Sequence, residues 1–90
     1  MAPWRPSINP PPRRGLLEVR WRLRSDIGDV LECSIHRHRG DDFEVKMAYG
    51  AELSYSERTT SLGAARYAAD ALKMEMLREH PTYTEVAVEV

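Results

Sequence analysis

The chain has 90 residues, 42% of them hydrophobic and 30% charged, with a net charge of −1. That length suits one small domain, and the composition is too apolar for a wholly disordered chain. No apolar run nears the roughly 20 residues of a membrane-spanning helix. The N-terminus lacks the apolar stretch of a secretory signal. The lone cysteine, Cys33, excludes an internal disulfide and a cysteine-based zinc site, so the expected compartment is the cytoplasm.

Residues 1–15 read as a disordered arm. Pro3, Pro6, Pro10, Pro11 and Pro12 lie there, and proline removes the amide donors that a sheet or helix interior needs. The arm and the strand after it are basic: residues 1–24 hold six arginines against Glu18, a net +5, while residues 25–90 carry −6. Leu17, Val19, Trp21 and Leu23 alternate with Glu18, Arg20, Arg22 and Arg24, which predicts a half-buried strand. Residues 25–29, with Gly28, form a turn. Leu31, Cys33 and Ile35 alternate with Glu32, Ser34 and His36 in a second strand. A turn at residues 39–41 follows, and then a third strand with Phe43, Val45, Met47 and Tyr49 on one face.

These parities predict a register. A three-residue loop between strands two and three sets Ile35 against Val45, Cys33 against Met47, His36 against Glu44 and His38 against Asp42. A five-residue first loop sets Val19 by Ile35, Trp21 by Cys33 and Arg22 by Glu32. Each such cross-strand pair contributes about 0.2–1 kcal/mol, and a one-residue slip would bury the charged set. Gly50-Ala51 is a third turn. Leu53 and Tyr55 begin a shorter fourth strand reaching about Arg58, with its register open between a two- and a three-residue loop.

Thr59-Thr60-Ser61 offers N-cap hydroxyls. Leu62, Ala65, Ala69, Leu72 and Met76, with Ala68, then recur at helical spacing until Pro81 ends the run near His80. Alanines in the first half allow a close approach to the sheet; Leu72, Met76 and Leu77 fill a wider gap beyond. Val86, Val88 and Val90 alternate with Glu85, Ala87 and Glu89, as an edge strand beside the first strand or added to another copy would. The expected fold class is α+β: an antiparallel sheet of about four strands, one amphipathic helix on one face, and an extra C-terminal edge strand. The divisions are an arm at 1–15, a sheet-plus-helix domain at 16–80, and an edge strand or tail at 81–90.

Chemistry-bearing residues are few. His36 and His38, with Glu18, Asp42 and Glu44 near, have donor types suited to Zn²⁺ or Ni²⁺, but a His-x-His is common and the third ligand is only inferred, so cross-strand His–acid pairing on a solvated face is the preferred reading. Cys33 has core parity and no base beside it. Ser54 and Ser56 lack a His and Asp around them, no glycine-rich phosphate loop occurs, and Asp41, Asp42 and Glu44 do not make a calcium loop. No catalytic set, metal site or cofactor is therefore assigned, and the chain is not expected to be an enzyme.

Two binding readings remain. Arg20, Arg22 and Arg24 form one row on the expected open sheet face, and Arg13 and Arg14 of the arm add charge, with Trp4 as a stacking group. Such a set suits nucleic acid through phosphate neutralisation and groove entry, although Glu32 and Glu44 interrupt the face. The strands followed by Ala64-Ala65-Arg66-Tyr67-Ala68-Ala69-Asp70-Ala71 resemble the sheet-then-alanine-rich-helix layout of the plant ethylene-response-factor DNA-binding domain. That likeness implies DNA binding by the sheet, but the family's reading residues have no counterpart here. The chain is also similar to small uncharacterised bacterial proteins built as a strand meander plus one helix, which implies no activity. The second reading is a protein-interaction module, engaging a protein partner or a second copy through an edge strand. It is the reading adopted here, with nucleic-acid binding as the alternative and no role at a membrane.

Overall fold

The computed structural model describes residues 14–88, so arm residues 1–13, with Trp4 and Arg13, and residues 89–90 lie outside the described part. Five strands and one helix follow in order: β1 Leu16–Arg24, β2 Val30–Arg37, β3 Phe43–Tyr49, β4 Glu52–Thr59, α1 Leu62–Glu79 and β5 Thr84–Val86. The sheet is antiparallel, in the order β4-β3-β2-β1-β5. The helix covers one face, giving the expected α+β layering, and the valine-bearing C-terminal segment pairs with β1 as Arg22↔Val86 and Arg24↔Thr84.

The β2–β3 register follows the alternation: Cys33↔Met47, Ile35↔Val45 and His36↔Glu44. The His38 amide closes the turn by donating to the Asp42 carbonyl at 2.8 Å. On the covered face Leu23, Leu31, Cys33, Ile35 and Val45 are fully buried, with Trp21, Phe43 and Met47 around them. Ala65, Ala69 and Leu72 of α1 close the core, and Met76 and Leu77 flank it. The alanines let the helix come so near that the Trp21 Nε1–H donates to the Ala69 carbonyl at 2.7 Å. An indole N–H removed from water needs such an acceptor. Ser61 caps α1 by accepting from the Ala64 amide at 3.0 Å, and His80 ends it, its backbone N–H donating to Met76.

β1 departs from strict alternation. Leu23 and Trp21 pair as expected, but the register shifts between Val19 and Trp21 and again between Leu16 and Glu18. Arg20 and Leu17 are inserted residues, and each insertion reverses the parity of everything before it. The expected Val19–Ile35 pair is therefore replaced by Glu18↔Ile35, with Val19 opposite Ser34. Leu17, expected in the core, is 44% exposed. β4 also differs from expectation. It is eight residues long, not short. A two-residue loop pairs Tyr49 with Glu52, and a shift at Ser54 then sends Leu53 to the open face and Tyr55 to the helix face.

Candidate interaction surface

The arginine row expected on the open face is divided. The insertion in β1 turns Arg20 toward the helix, where it lies 3.4 Å from Asp70 and 3.6 Å from Glu18. Its Nε is buried without a hydrogen-bond partner. Glu18 sits on the same side and accepts from Arg66 of α1 at 2.8 and 3.3 Å. That hydrogen bond and the Arg66 and Arg20 charges hold the Glu18 carboxyl below its ordinary value, against a smaller opposing effect of burial. Arg22 stays on the open face, bonded to Glu32 at 2.8 Å as the register predicted. Arg24 is exposed at the end of β1, next to the β5 pairing. Arg14 is also exposed and borders the open face, and Arg13 lies outside the described residues.

The open face carries a trough of about 740 Å³ whose walls include Arg14, Val30, Glu32, Lys46, Ala48 and Leu53. Its floor is unexpectedly closed, since Ser34 and His36 are only 5% and 6% exposed. Gly15 makes this possible. At φ +71° the chain turns where a Cβ would strike the Arg37 carbonyl, and the Arg14 carbonyl reaches His36 Nδ1 at 3.2 Å. A carbonyl only accepts, so Nδ1 carries the proton, and in the neutral ring Nε2 accepts from the Ser34 hydroxyl at 2.9 Å. A hydroxyl, an imidazole and an orienting acceptor also occur in acyl-transfer sites. Here the three satisfy one another on a closed floor. Sequence reasoning missed the pair, although Ser34 and His36, two apart on one strand, must share a face. Glu18, expected beside His36, has left for the helix, and His38 is exposed on the turn. Among the described residues no three His, Cys, Asp or Glu side chains cluster as a metal site would require. Cys33 is fully buried, and burial pushes its thiol up to about 12.

Two further features lie at the other end of the sheet. Among the described residues β4 is bonded to β3 on one side only, and six of its eight residues are exposed, with Leu53 at 55% and Tyr55 at 40%. At its start lies a depression of about 620 Å³, bordered by Asp26, Asp29, Tyr49, Glu52, His80 and Tyr83. Tyr83 stacks on His80 with ring centroids 4.5 Å apart, and its hydroxyl is 3.5 Å from that of Tyr49. That hydrogen bond, with burial and the nearby Asp29 charge, pushes the Tyr49 phenol up to about 12. Asp26 accepts from Thr82 at 2.8 Å. Among the described residues neither Asp29 nor Glu52 forms an ion pair, and neither does Arg58 at the far end of β4.

No family model, no curated protein and no solved structure matches the chain. Among the described residues no helix is long and apolar enough to cross a membrane.

Proposed function

We propose that the chain is a non-enzymatic interaction module that takes up an extended strand along the free edge of β4. The observation that carries this reading is the edge itself. β4 spans eight residues and, among the described residues, is bonded on one side only, with neither proline nor lysine in Glu52–Thr59 to blunt it. The opposite edge of the sheet differs. β5 covers β1 at Arg22–Arg24 and is itself only three residues long. Main-chain hydrogen bonds give such a docking its affinity, and side chains on alternate positions give it selectivity. Leu53 on one face and Tyr55 on the other supply apolar contacts for that purpose. The open-face trough is a weaker candidate, because three of its polar side-chain sets are already matched: Arg22 with Glu32, Lys46 with Glu44, and Ser34 with His36.

The test is a selection of displayed random peptides on the full chain, with binders mapped by amide chemical shifts. The expected result is extended peptides that perturb β4 amides and fail to bind Ser56→Pro, which removes a strand donor. Leu53→Lys/Tyr55→Lys serves as a second non-binding variant should the proline variant not fold. Binders that map to the trough or the helix, or that bind both variants as well as the parent, would overturn the reading.

A further inference from the structure

We infer that the strand received by β4 belongs to another protein and is two-sided, with lysine or arginine at alternate positions turned toward α1 and uncharged or acidic side chains turned toward the open face. This rests on the strand-addition reading and names the partner's chemistry. The argument is charge complementarity, side by side along the edge. Tyr55 and Glu57 pair with Met47 and Val45 of the core, so both stand on the helix side, and Glu52 joins them opposite Tyr49. Ser56 and Arg58 pair with Lys46 and Glu44 on the open side. The helix adds acid to acid. Glu75 of α1 lies near enough for its charge to reach the Tyr55 phenol: burial, then the Glu57 charge and hydrogen bond, then the Glu75 charge hold that phenol above its ordinary value. Glu79 lies one turn further along the same flank of α1. Among the described residues none of Glu52, Glu57, Glu75 and Glu79 forms an ion pair.

The other flank of the helix is arranged differently. There Arg66 meets Glu18, Asp70 meets Arg20 and Lys73 meets Glu85, each helix charge matched by an opposite one from β1 or β5. Along β4 the strand and the helix carry the same sign, so a cation arriving with a paired strand is attracted by both layers. Residues directly opposite in an antiparallel pair share a face. Basic side chains two apart would thus meet Glu57 and the exposed Tyr55, whose ring attracts cations, with Glu75 beyond. Arg58 stands on the other side and faces Glu44 across the ladder, so a cation set opposite it is repelled. That repulsion favours a strand whose basic residues alternate with others over one that is basic throughout. A second β4 does not qualify. The two-fold axis between paired strands keeps each side of the sheet on its own side, and Glu52, Tyr55 and Glu57 would meet their own kind.

The experiment is fluorescence anisotropy of two short labelled peptides on the full chain, at low and physiological salt. One alternates lysine with valine and threonine, and the other has glutamate at each lysine position. The lysine peptide is expected to bind about tenfold or more tightly, less so as salt rises, and to shift β4 amides. Glu57→Lys should reverse the preference. Glu75→Lys, which leaves the strand itself untouched, should weaken the lysine peptide in the same direction, with folding of both variants checked by circular dichroism. Equal binding of the two peptides, mapped to β4, would overturn the basic strand and leave strand addition standing. So would failure of both while selected peptides still map there. Shifts of β4 amides on concentrating the protein alone, with neither peptide bound, would put a second copy in the partner's place. A lysine peptide indifferent to both Glu57→Lys and Glu75→Lys would be held elsewhere on the surface, and the inference would fail with it.

Discussion

Arg20 and Glu18 sit two residues apart on β1, and both are drawn to the helix instead of to water. Glu18 meets Arg66, and Arg20 meets Asp70. The sign of the Glu18 effect sets a pH dependence. Its carboxyl titrates lower in the folded chain than in the unfolded one. The pairing therefore stabilises the fold in full above the ordinary carboxylate range, and that contribution is lost as pH falls through the depressed folded value. Glu18→Gln should accordingly lose less stability than the parent on acidification below the ordinary glutamate range, read as urea midpoints against pH. Equal slopes for both proteins would show that Arg66 does not hold this proton. Tyr49 behaves the opposite way. Its phenol keeps its proton up to about 12 in the folded state, so unfolding releases protons above the ordinary tyrosine value near 10. Stability should fall from there as pH rises toward 12, and Tyr83→Phe, which removes the hydroxyl partner, should lessen that fall. Cys33 gives a simpler readout. A buried thiol raised to about 12 should resist a disulfide reagent at mildly alkaline pH and react at once in guanidinium chloride. Rapid labelling of the native chain would contradict the burial.

Among the elements, α1 depends on small side chains. Ala65 and Ala69 are fully buried against the sheet, and the Trp21 indole spans the gap to the Ala69 carbonyl. Ala69→Leu should cost about 1–3 kcal/mol by forcing the layers apart, measured by chemical denaturation. The Ser61 cap is worth about 1 kcal/mol, so Ser61→Ala should lower the urea midpoint without changing its slope. These features were legible in the sequence. Alternation located β2 and β3, and loop length then set their register because only one parity buries Leu31, Cys33 and Ile35. The alanine stripe, the hydroxyl cap and Pro81 marked the helix and its ends. What alternation could not show were the inserted residues. Leu17, Arg20 and Ser54 each add one position without a cross-strand partner, and counting by twos then assigns the wrong face to all that precedes. Arg20 is an intelligible case, since its insertion brings a cation to Asp70 and Glu18 on the helix side, but that attraction depends on a helix 50 residues further along. The closed floor at Ser34 and His36 was hidden for a similar reason. It depends on Gly15 turning the Arg14 carbonyl over the imidazole, a long-range contact.

At the scale of the whole molecule, the question is whether its arginines act together on a polyanion. Residues 14–88 hold eleven basic and thirteen acidic side chains, so the described surface offers a nucleic acid no net attraction. The arrangement opposes it further. Arg20 lies on the helix side and Arg22 on the open side of one strand, and a duplex approaching either face would meet only one of them. Each would also have to give up a carboxylate for a phosphate: Arg22 its 2.8 Å contact with Glu32, and Arg20 its contacts with Glu18 and Asp70. Exchanging one anion for another yields little beyond counterion release, which fades as salt rises. Titrating the labelled full chain with a mixed-sequence duplex at low and physiological salt should therefore give no amide shifts confined to Arg20, Arg22 and Arg24. The same protein, given a lysine-bearing strand in place of DNA, should shift at β4. Shifts gathered on Arg14, Arg22 and Arg24 that weaken steeply with salt and vanish in Arg22→Ala would reverse this order. They would make the open face, with its trough and exposed Arg14, the working surface in place of the edge.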